Sequence, residues 1–259
     1  MYNDLFSIGP VTVHGYGLMI AIGIVVALLV GDKRAGKKGL NGELVYPMTL
    51  FAVVFGFFAA RILFIITEWK NFIKAPIDYI TGSGFVVFGG IIGGIITIYV
   101  YCKIKKVNPV DYMDLMVPSV ALAQGFGRIG CFLAGCCYGR ETDAWWGITF
   151  TRSHFAPNGV SLIPTQLIMS LGDFIIAGLL FLYLSKDRKR LQPTCVYIAL
   201  YSIGRFGVEF LRNDYRGSIG ILSTSQFIGI FTLIAAVAAY IFLVPMLNKE
   251  PEVTEEGEK

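Results

Sequence analysis

The stretch Leu44–Ile66, LVYPMTLFAVVFGFFAARILFII, carries a single charged residue, Arg61. A helix crossing the hydrocarbon core of a bilayer needs about 20 predominantly apolar residues, and this run meets that length. Four more runs have the same character. Gly17–Gly31, Phe85–Cys102 and Ile219–Leu247 hold no charge, and Ser161–Leu184 holds only Asp173. Over the 259 residues, 55% are hydrophobic and 15% charged, with a mean hydropathy of +0.65. A soluble domain carries about 25% charged residues. The chain therefore reads as an all-α integral membrane protein of about seven transmembrane helices.

The placement of charge says more than its sum of +4. Lys33, Arg34, Lys37 and Lys38 follow the first run, Lys103, Lys105 and Lys106 the third, and Lys186, Arg188, Lys189 and Arg190 the fifth. Lys249 and Lys259 follow the last. Basic residues near span ends mark the cytoplasmic side. They fall after odd-numbered spans, which predicts the N-terminus outside and the C-terminus cytoplasmic. Met1–His14 lacks the basic start and cleavage site of a signal peptide. The expected spans are 14–31, 46–66, 84–102, 111–130, 163–184, 193–211 and 223–245. The fourth opens at Asn108-Pro109, with Asp111 and Asp114 in an acidic first turn that suits a helix N-terminus. Residues 67–81 and 131–160 read as external segments, the second holding Trp145 and Trp146, residues suited to the membrane interface. We expect one transmembrane domain over 1–247 and a disordered cytoplasmic tail over 248–259, with no internal repeat.

The five cysteines, Cys102, Cys131, Cys136, Cys137 and Cys195, are odd in number and do not form a disulfide pattern. The CxxxxCC spacing lacks the second ligand pair of a zinc site, so these residues read as small packing groups and no metal is expected. No GxSxG, HExxH or P-loop is present.

Three arginines sit at membrane depth: Arg61, Arg128 and Arg205. An ionisable residue there costs about 2.5–3.5 kcal/mol even on the low scales, and so marks a functional site by default. Glu209 lies one helical turn beyond Arg205, a spacing at which the two can simply pair. Buried guanidinium groups are suited to phosphate through their planar fork of donors, and the phosphate available at this depth is a phospholipid head group. Gly125, Gly127 and Gly130 flank Arg128 and would let backbone N–H groups approach an anion. Gly89, Gly90, Gly93 and Gly94 mark the third span, where close helix packing is an equally good account. His14 and His154 are the two histidines, each able to act as a base near neutral pH.

Gly127-Arg128-Ile129-Gly130-Cys131-Phe132, with Gly139-Arg140 following, resembles the signature of the prolipoprotein diacylglyceryl transferase family. Four other segments resemble it in order: His14-Gly15-Tyr16-Gly17-Leu18-Met19, Arg61-Ile62, Pro164-Thr165-Gln166-Leu167, and Tyr201 through Arg205-Phe206-Gly207-Val208-Glu209-Phe210-Leu211-Arg212. The resemblance implies a multi-pass protein of the bacterial cytoplasmic (inner) membrane that needs no cofactor. It would move a diacylglyceryl group from phosphatidylglycerol to the lipobox cysteine of a preprotein, releasing glycerol phosphate, with no nucleic-acid partner. It further implies that Arg128, Arg205, Tyr16 and Glu209 are catalytic, and that Arg128, Arg61, Gly89, Gly90, Gly130, Gln166 and Arg212 bind substrate.

This chain departs from the family pattern at proton-handling positions. Phe88 stands where His precedes Gly-Gly. Cys131 and Ala134 replace asparagines, Cys136 a glutamate, and Met169 the glutamate of the Gln-Leu-Tyr-Glu segment. Glu141, Asp143, His14 and His154 are the substitutes in view. Two alternatives stay open: a phospholipid-dependent transferase with another acceptor, and a non-catalytic lipid-binding or transport protein.

Overall fold

Apolar runs become helices in lipid because the backbone must satisfy its own N–H and C=O groups there. The computed structural model describes residues 4–9, 11–82, 84–214 and 217–249. Its helices are α1 (Gly15–Lys37), α2 (Val45–Thr67), the short α3 (Trp69–Phe72) and α4 (Pro76–Thr81), then α5 (Val87–Ile104) and α6 (Pro109–Ala134). After these come α7 (Thr165–Tyr183), α8 (Gln192–Glu209), α9 (Thr224–Ala238) and α10 (Val244–Leu247). A π-helical turn, Ala239–Leu243, joins the last two. Three antiparallel two-stranded hairpins were not anticipated from the sequence: β1 (Asp4–Ile8) with β2 (Val11–His14), β3 (Ile148–Thr149) with β4 (Ser161–Leu162), and β5 (Ser218–Ile219) with β6 (Leu222–Ser223).

Among the described residues, six helices are long and apolar enough to cross a membrane: Gly15–Lys37, Gly42–Thr67, Val87–Ile104, Pro109–Ala134, Thr165–Tyr183 and Thr224–Leu247. The protein is an integral membrane protein with these six candidate spans. The segment expected as a further span at 193–211 does form an 18-residue helix, α8, but falls short in apolarity. Gln192, Thr194, Tyr197, Ser202, Arg205 and Glu209 dilute it. The expected tail lies outside the described residues from position 250 on. Asn248 is described, and its side-chain amide donates to the carbonyl of Arg190 at 3.2 Å.

The chain divides into two compact units, Leu28–Tyr112 and Met1–Ala27 with Met113–Lys259. In the first, α2 lies against α5 through glycines. A Cβ on Gly89 would meet the carbonyl of Ala59 at 2.5 Å and Cβ of Leu63 at 2.8 Å, and one on Gly56 would meet the Gly90 carbonyl at 3.2 Å. This is the small-residue packing that replaces hydrophobic drive between helices in lipid. Large side chains such as Leu50, Phe58 and Ile62 on α2 remain exposed, as a lipid-facing surface requires.

In the second unit, α6 is the most enclosed of the candidate spans. Its first residues, which belong to the Leu28–Tyr112 unit, start where the sequence predicts, with the Asn108 side chain accepting from Val110 N at 2.9 Å. Ala121 on α6 and Ile176, Ala177 and Leu180 on α7 form a buried cluster, covered by Val196, Tyr197, Leu200 and Tyr201 of α8. Gly23 allows α1 onto α6: a Cβ there would stand 3.0 Å from the Ala123 carbonyl and 3.2 Å from Cβ of Phe126. The long segment after α6 has its own small core of Phe150, Ala156 and Leu162 against Phe132, Tyr138 and Val160. It is a folded cap, not a loose loop.

Candidate active site

The second unit assembles the polar residues of α1, α6, α7 and α8. Gly130 sets the first contact. A Cβ there would lie 3.1 Å from both Cδ2 and the carbonyl of Tyr16, so the glycine brings the start of α1 against the last turns of α6. Tyr16 keeps 45% of its surface exposed. On the next face, Ser170 Oγ of α7 donates to the Gly125 carbonyl at 2.9 Å, and the ring of Phe174 fills the space a side chain at 125 would take.

Arg128 projects from this stretch of α6. Its one hydrogen bond among the described residues runs from Nη2 to the Tyr201 hydroxyl at a long 3.5 Å. Its other N–H groups make no hydrogen bond among the described residues. A Cβ on the neighbouring Gly127 would meet nothing within 4 Å. Tyr201 is itself placed by stacking on Tyr197, with centroids 6.1 Å apart, and the Tyr197 hydroxyl donates to Gln124 Oε1 at 2.7 Å.

The other arginines are committed to protein partners. Arg205 Nη1 pairs with Glu209 Oε2 at 2.6 Å, and Nη2 donates to Ser225 Oγ at 2.9 Å. Ser225 stands in the first turn of α9, where Ser223 and Gln226 form a reciprocal cap. Arg212 donates Nε and Nη2 to the carboxylate of Asp214 at 2.8 and 2.5 Å and stands 4.0 Å from Glu209. Its buried Nη1 has no hydrogen-bond partner among the described residues. In the other unit, Arg61 donates to the carbonyls of Gly84 and Gly82 at 2.6 and 2.8 Å, with the Phe64 and Phe85 rings nearby. There it braces the turn before α5, and Gly89 and Gly90 lie at the α2–α5 contact already described.

The folded cap completes the site. Residues 138–141 thread between two backbones: Gly139 N donates to the Ile163 carbonyl at 3.0 Å and Arg140 N to that of Leu211 at 2.9 Å. A side chain at 139 would strike Ile163 O at 2.6 Å and Leu211 O at 2.8 Å, which is why Gly139-Arg140 follows the α6 signature. Thr165 and Gln166, both fully buried, donate to the Cys137 and Cys136 carbonyls at 2.7 Å each. Hydrogen bonding to Cys131 and Cys137, together with burial, pushes the Cys136 thiol well above its ordinary value.

The substitutes seen in the sequence sit on the surface. His14 pairs with Asp4 at 2.6 Å, both about two-thirds exposed, and Glu141, Asp143 and His154 are exposed. The acid that sequence reasoning missed is Asp173. It is 4% exposed, and its Oδ2 makes no hydrogen bond among the described residues. It lies within electrostatic reach of both Arg128 and Arg205. The signal was present twice: Asp173 is the lone charge in its run, and it falls one turn after Met169, on the same face of α7.

A family model described as prolipoprotein diacylglyceryl transferase matches residues 3–242. The chain is similar to the phosphatidylglycerol–prolipoprotein diacylglyceryl transferase of Clostridium tetani, 45% identical over 247 residues, covering 95% of this chain and 98% of that protein. A second relative, phosphatidylglycerol–prolipoprotein diacylglyceryl transferase 2 of Clostridium perfringens, is 46% identical over 250 residues, covering 95% of each. The corresponding protein of Finegoldia magna is 36% identical over 251 residues, covering 95% of this chain and 98% of that protein.

Proposed function

This chain belongs to the prolipoprotein diacylglyceryl transferase family, and from that premise we propose how its residues carry the reaction. It is a transferase that moves a diacylglyceryl group from phosphatidylglycerol to a prolipoprotein. The acceptor is the cysteine thiol of a lipobox, presented at the outer face of the bacterial cytoplasmic membrane. Seven spans, with α8 as the sixth, place the N-terminus outside and the C-terminus in the cytoplasm.

The thiolate sulfur attacks the glyceryl carbon that bears the phosphate. A carbon–sulfur bond forms, the carbon–oxygen bond to phosphate breaks, and glycerol phosphate leaves with the bonding electrons. The thiol proton must go to a base, and negative charge gathers on the leaving phosphate. Arg128 holds that phosphate. The observation that carries this role is its uncommitted fork, against the carbonyl-bound fork of Arg61 and the ion-paired guanidinium of Arg205. Preorganised donors at the place where charge develops give the largest single share of catalysis in many enzymes. Arg205, oriented by Glu209 and Ser225, adds positive field. Tyr16 lines the entrance beside Gly130. Gln166 and the Arg212–Asp214 pair keep the cap in register. Asp173 takes the thiol proton, replacing the acid absent at Met169.

The test is phosphatidylglycerol turnover with a lipobox peptide in lipid vesicles. Arg128→Ala is expected to lower kcat by about 10²–10³, the scale for removing one transition-state donor. Arg128→Lys keeps the charge without the fork and should recover only part. Wild-type turnover in Arg128→Ala would overturn the assignment.

A further inference from the structure

Three thiols converge where α6 ends. The Sγ atoms of Cys131, Cys136 and Cys137 all lie within 4.8 Å of one another, and none of the three is in a disulfide. The turn that brings them together is held on every side. Cys136 N donates to the Cys131 carbonyl at 3.1 Å, and the carbonyls of Cys136 and Cys137 accept from Gln166 and Thr165. Gly135 and Cys137 take left-handed backbone, with φ of 75° and 64°. For a non-glycine residue such as Cys137 that conformation is unfavourable and persists only where the surroundings enforce it.

Packing alone asks nothing of sulfur position, whereas a metal ion does. Metal–sulfur bonds of about 2.3 Å set three ligand sulfurs about 4 Å apart. The three Sγ atoms need to contract by less than about 1 Å to reach that spacing. The CxxxxCC pattern lacks a second pair for a four-sulfur site, but a three-sulfur site needs none. Thiolates select soft ions. Three of them around a divalent ion carry a net charge of −1, which an apolar site does not tolerate alone. The Arg128 guanidinium lies within electrostatic reach of Cys131 and Cys137.

We propose that Cys131, Cys136 and Cys137 form a three-sulfur site for one soft, thiophilic d10 cation, with Arg128 as its counter-charge. Binding releases the thiol protons to solvent and needs no oxidant. Because the same guanidinium is assigned to the lipid phosphate, occupancy lowers transferase turnover. That second effect rests on the phosphate role of Arg128; binding itself does not.

Cadmium(II) is the probe, titrated into detergent-purified full-length protein in which all five thiols have been counted as reduced. Thiolate-to-cadmium absorption should saturate at one equivalent. It should be lost in Cys131→Ser, Cys136→Ser and Cys137→Ser, and kept when Cys102 and Cys195 are both replaced by Ala. Each variant is first checked for a monodisperse, cooperatively unfolding protein. Cys136→Ser, at the partly exposed position, is the mildest change and decides the matter should the others misfold. Absence of absorption at one equivalent in the wild type would overturn the site. So would its survival in Cys136→Ser, or isolation of the native protein with a disulfide among the three. Cadmium-loaded wild type should lose turnover at least tenfold and regain it on chelation. Intact turnover with the absorption present would overturn the coupling to Arg128 and leave the metal site standing.

Discussion

Arginine is expensive at membrane depth, and Arg61, Arg128 and Arg205, with Arg212 just beyond α8, are partnered in different ways. Arg61 gives its fork to two backbone carbonyls, Arg205 to a glutamate and a serine, and Arg212 to a carboxylate. Among these four, Arg128 has one long bond, to a tyrosine hydroxyl. Sequence inspection flags Arg61, Arg128 and Arg205 by cost but does not separate them, because their partners Gly82, Gly84, Ser225 and Tyr201 lie 20 to 73 residues away in sequence. Asp173 shows the opposite case. Its isolation in an apolar run was legible, while its neighbours Arg128 and Arg205 emerge only once α6, α7 and α8 pack. We expect Asp173→Asn to lower kcat by about 10²–10⁴, the range for general acid–base work, with KM for phosphatidylglycerol little changed. Asp173→Glu should restore part of it. A proportional rise in KM with unchanged kcat would instead make Asp173 a counter-ion that positions the arginines.

At the scale of elements, the start of α8 is the most instructive. A helix of mixed polarity does not announce its own beginning, and the N-terminal N–H groups of a helix need outside partners. Here they come from another helix. Asp114 of α6 accepts from Leu191 N at 2.6 Å, from Thr194 N at 3.1 Å and from the Thr194 hydroxyl at 2.6 Å. Asp114 is expected from sequence in the first turn of its own helix, but that turn holds only Asp111, and Asp114, further along α6, serves α8 instead; its bonds there are not readable in the sequence, since residue 191 takes a left-handed backbone that no pattern near it requires. By contrast, the reciprocal Ser223–Gln226 cap of α9 is local and follows from spacing alone. Asp114→Ala leaves donors of α8 without their acceptor and should lower stability by roughly 1–3 kcal/mol. Thermal unfolding in detergent would register this as a fall in Tm, with Asp114→Asn intermediate. An unchanged Tm would mean that water serves these donors equally well.

At the scale of the whole molecule, α8 decides how many times the chain crosses the membrane. Its composition counts against a span, yet its polar groups are matched inside the protein. Tyr197 meets Gln124, Ser202 meets Thr232 at 2.8 Å, and Arg205 meets Glu209 and Ser225. Polar residues within a membrane face the bundle interior and pair there, so an apolarity count undervalues such a helix. The basic clusters point the same way, since Lys186 to Arg190 precede α8 on the side predicted to be cytoplasmic. Two exposed positions flank the helix: Lys186 before it and Ile221, fully exposed, after it. If α8 spans, these lie on opposite sides of the membrane; if it does not, they share one. We expect a membrane-impermeant thiol reagent, applied to intact cells, to label Ile221→Cys above the wild-type background. Lys186→Cys should be labelled only after the membrane is opened. In the same assay Trp145→Cys, in the cap after α6, should behave like Ile221→Cys, and Lys105→Cys like Lys186→Cys. Equal labelling of positions 186 and 221 would reduce the bundle to six spans. It would also put Arg205 and Glu209 outside the hydrocarbon, removing the need for their pairing at depth.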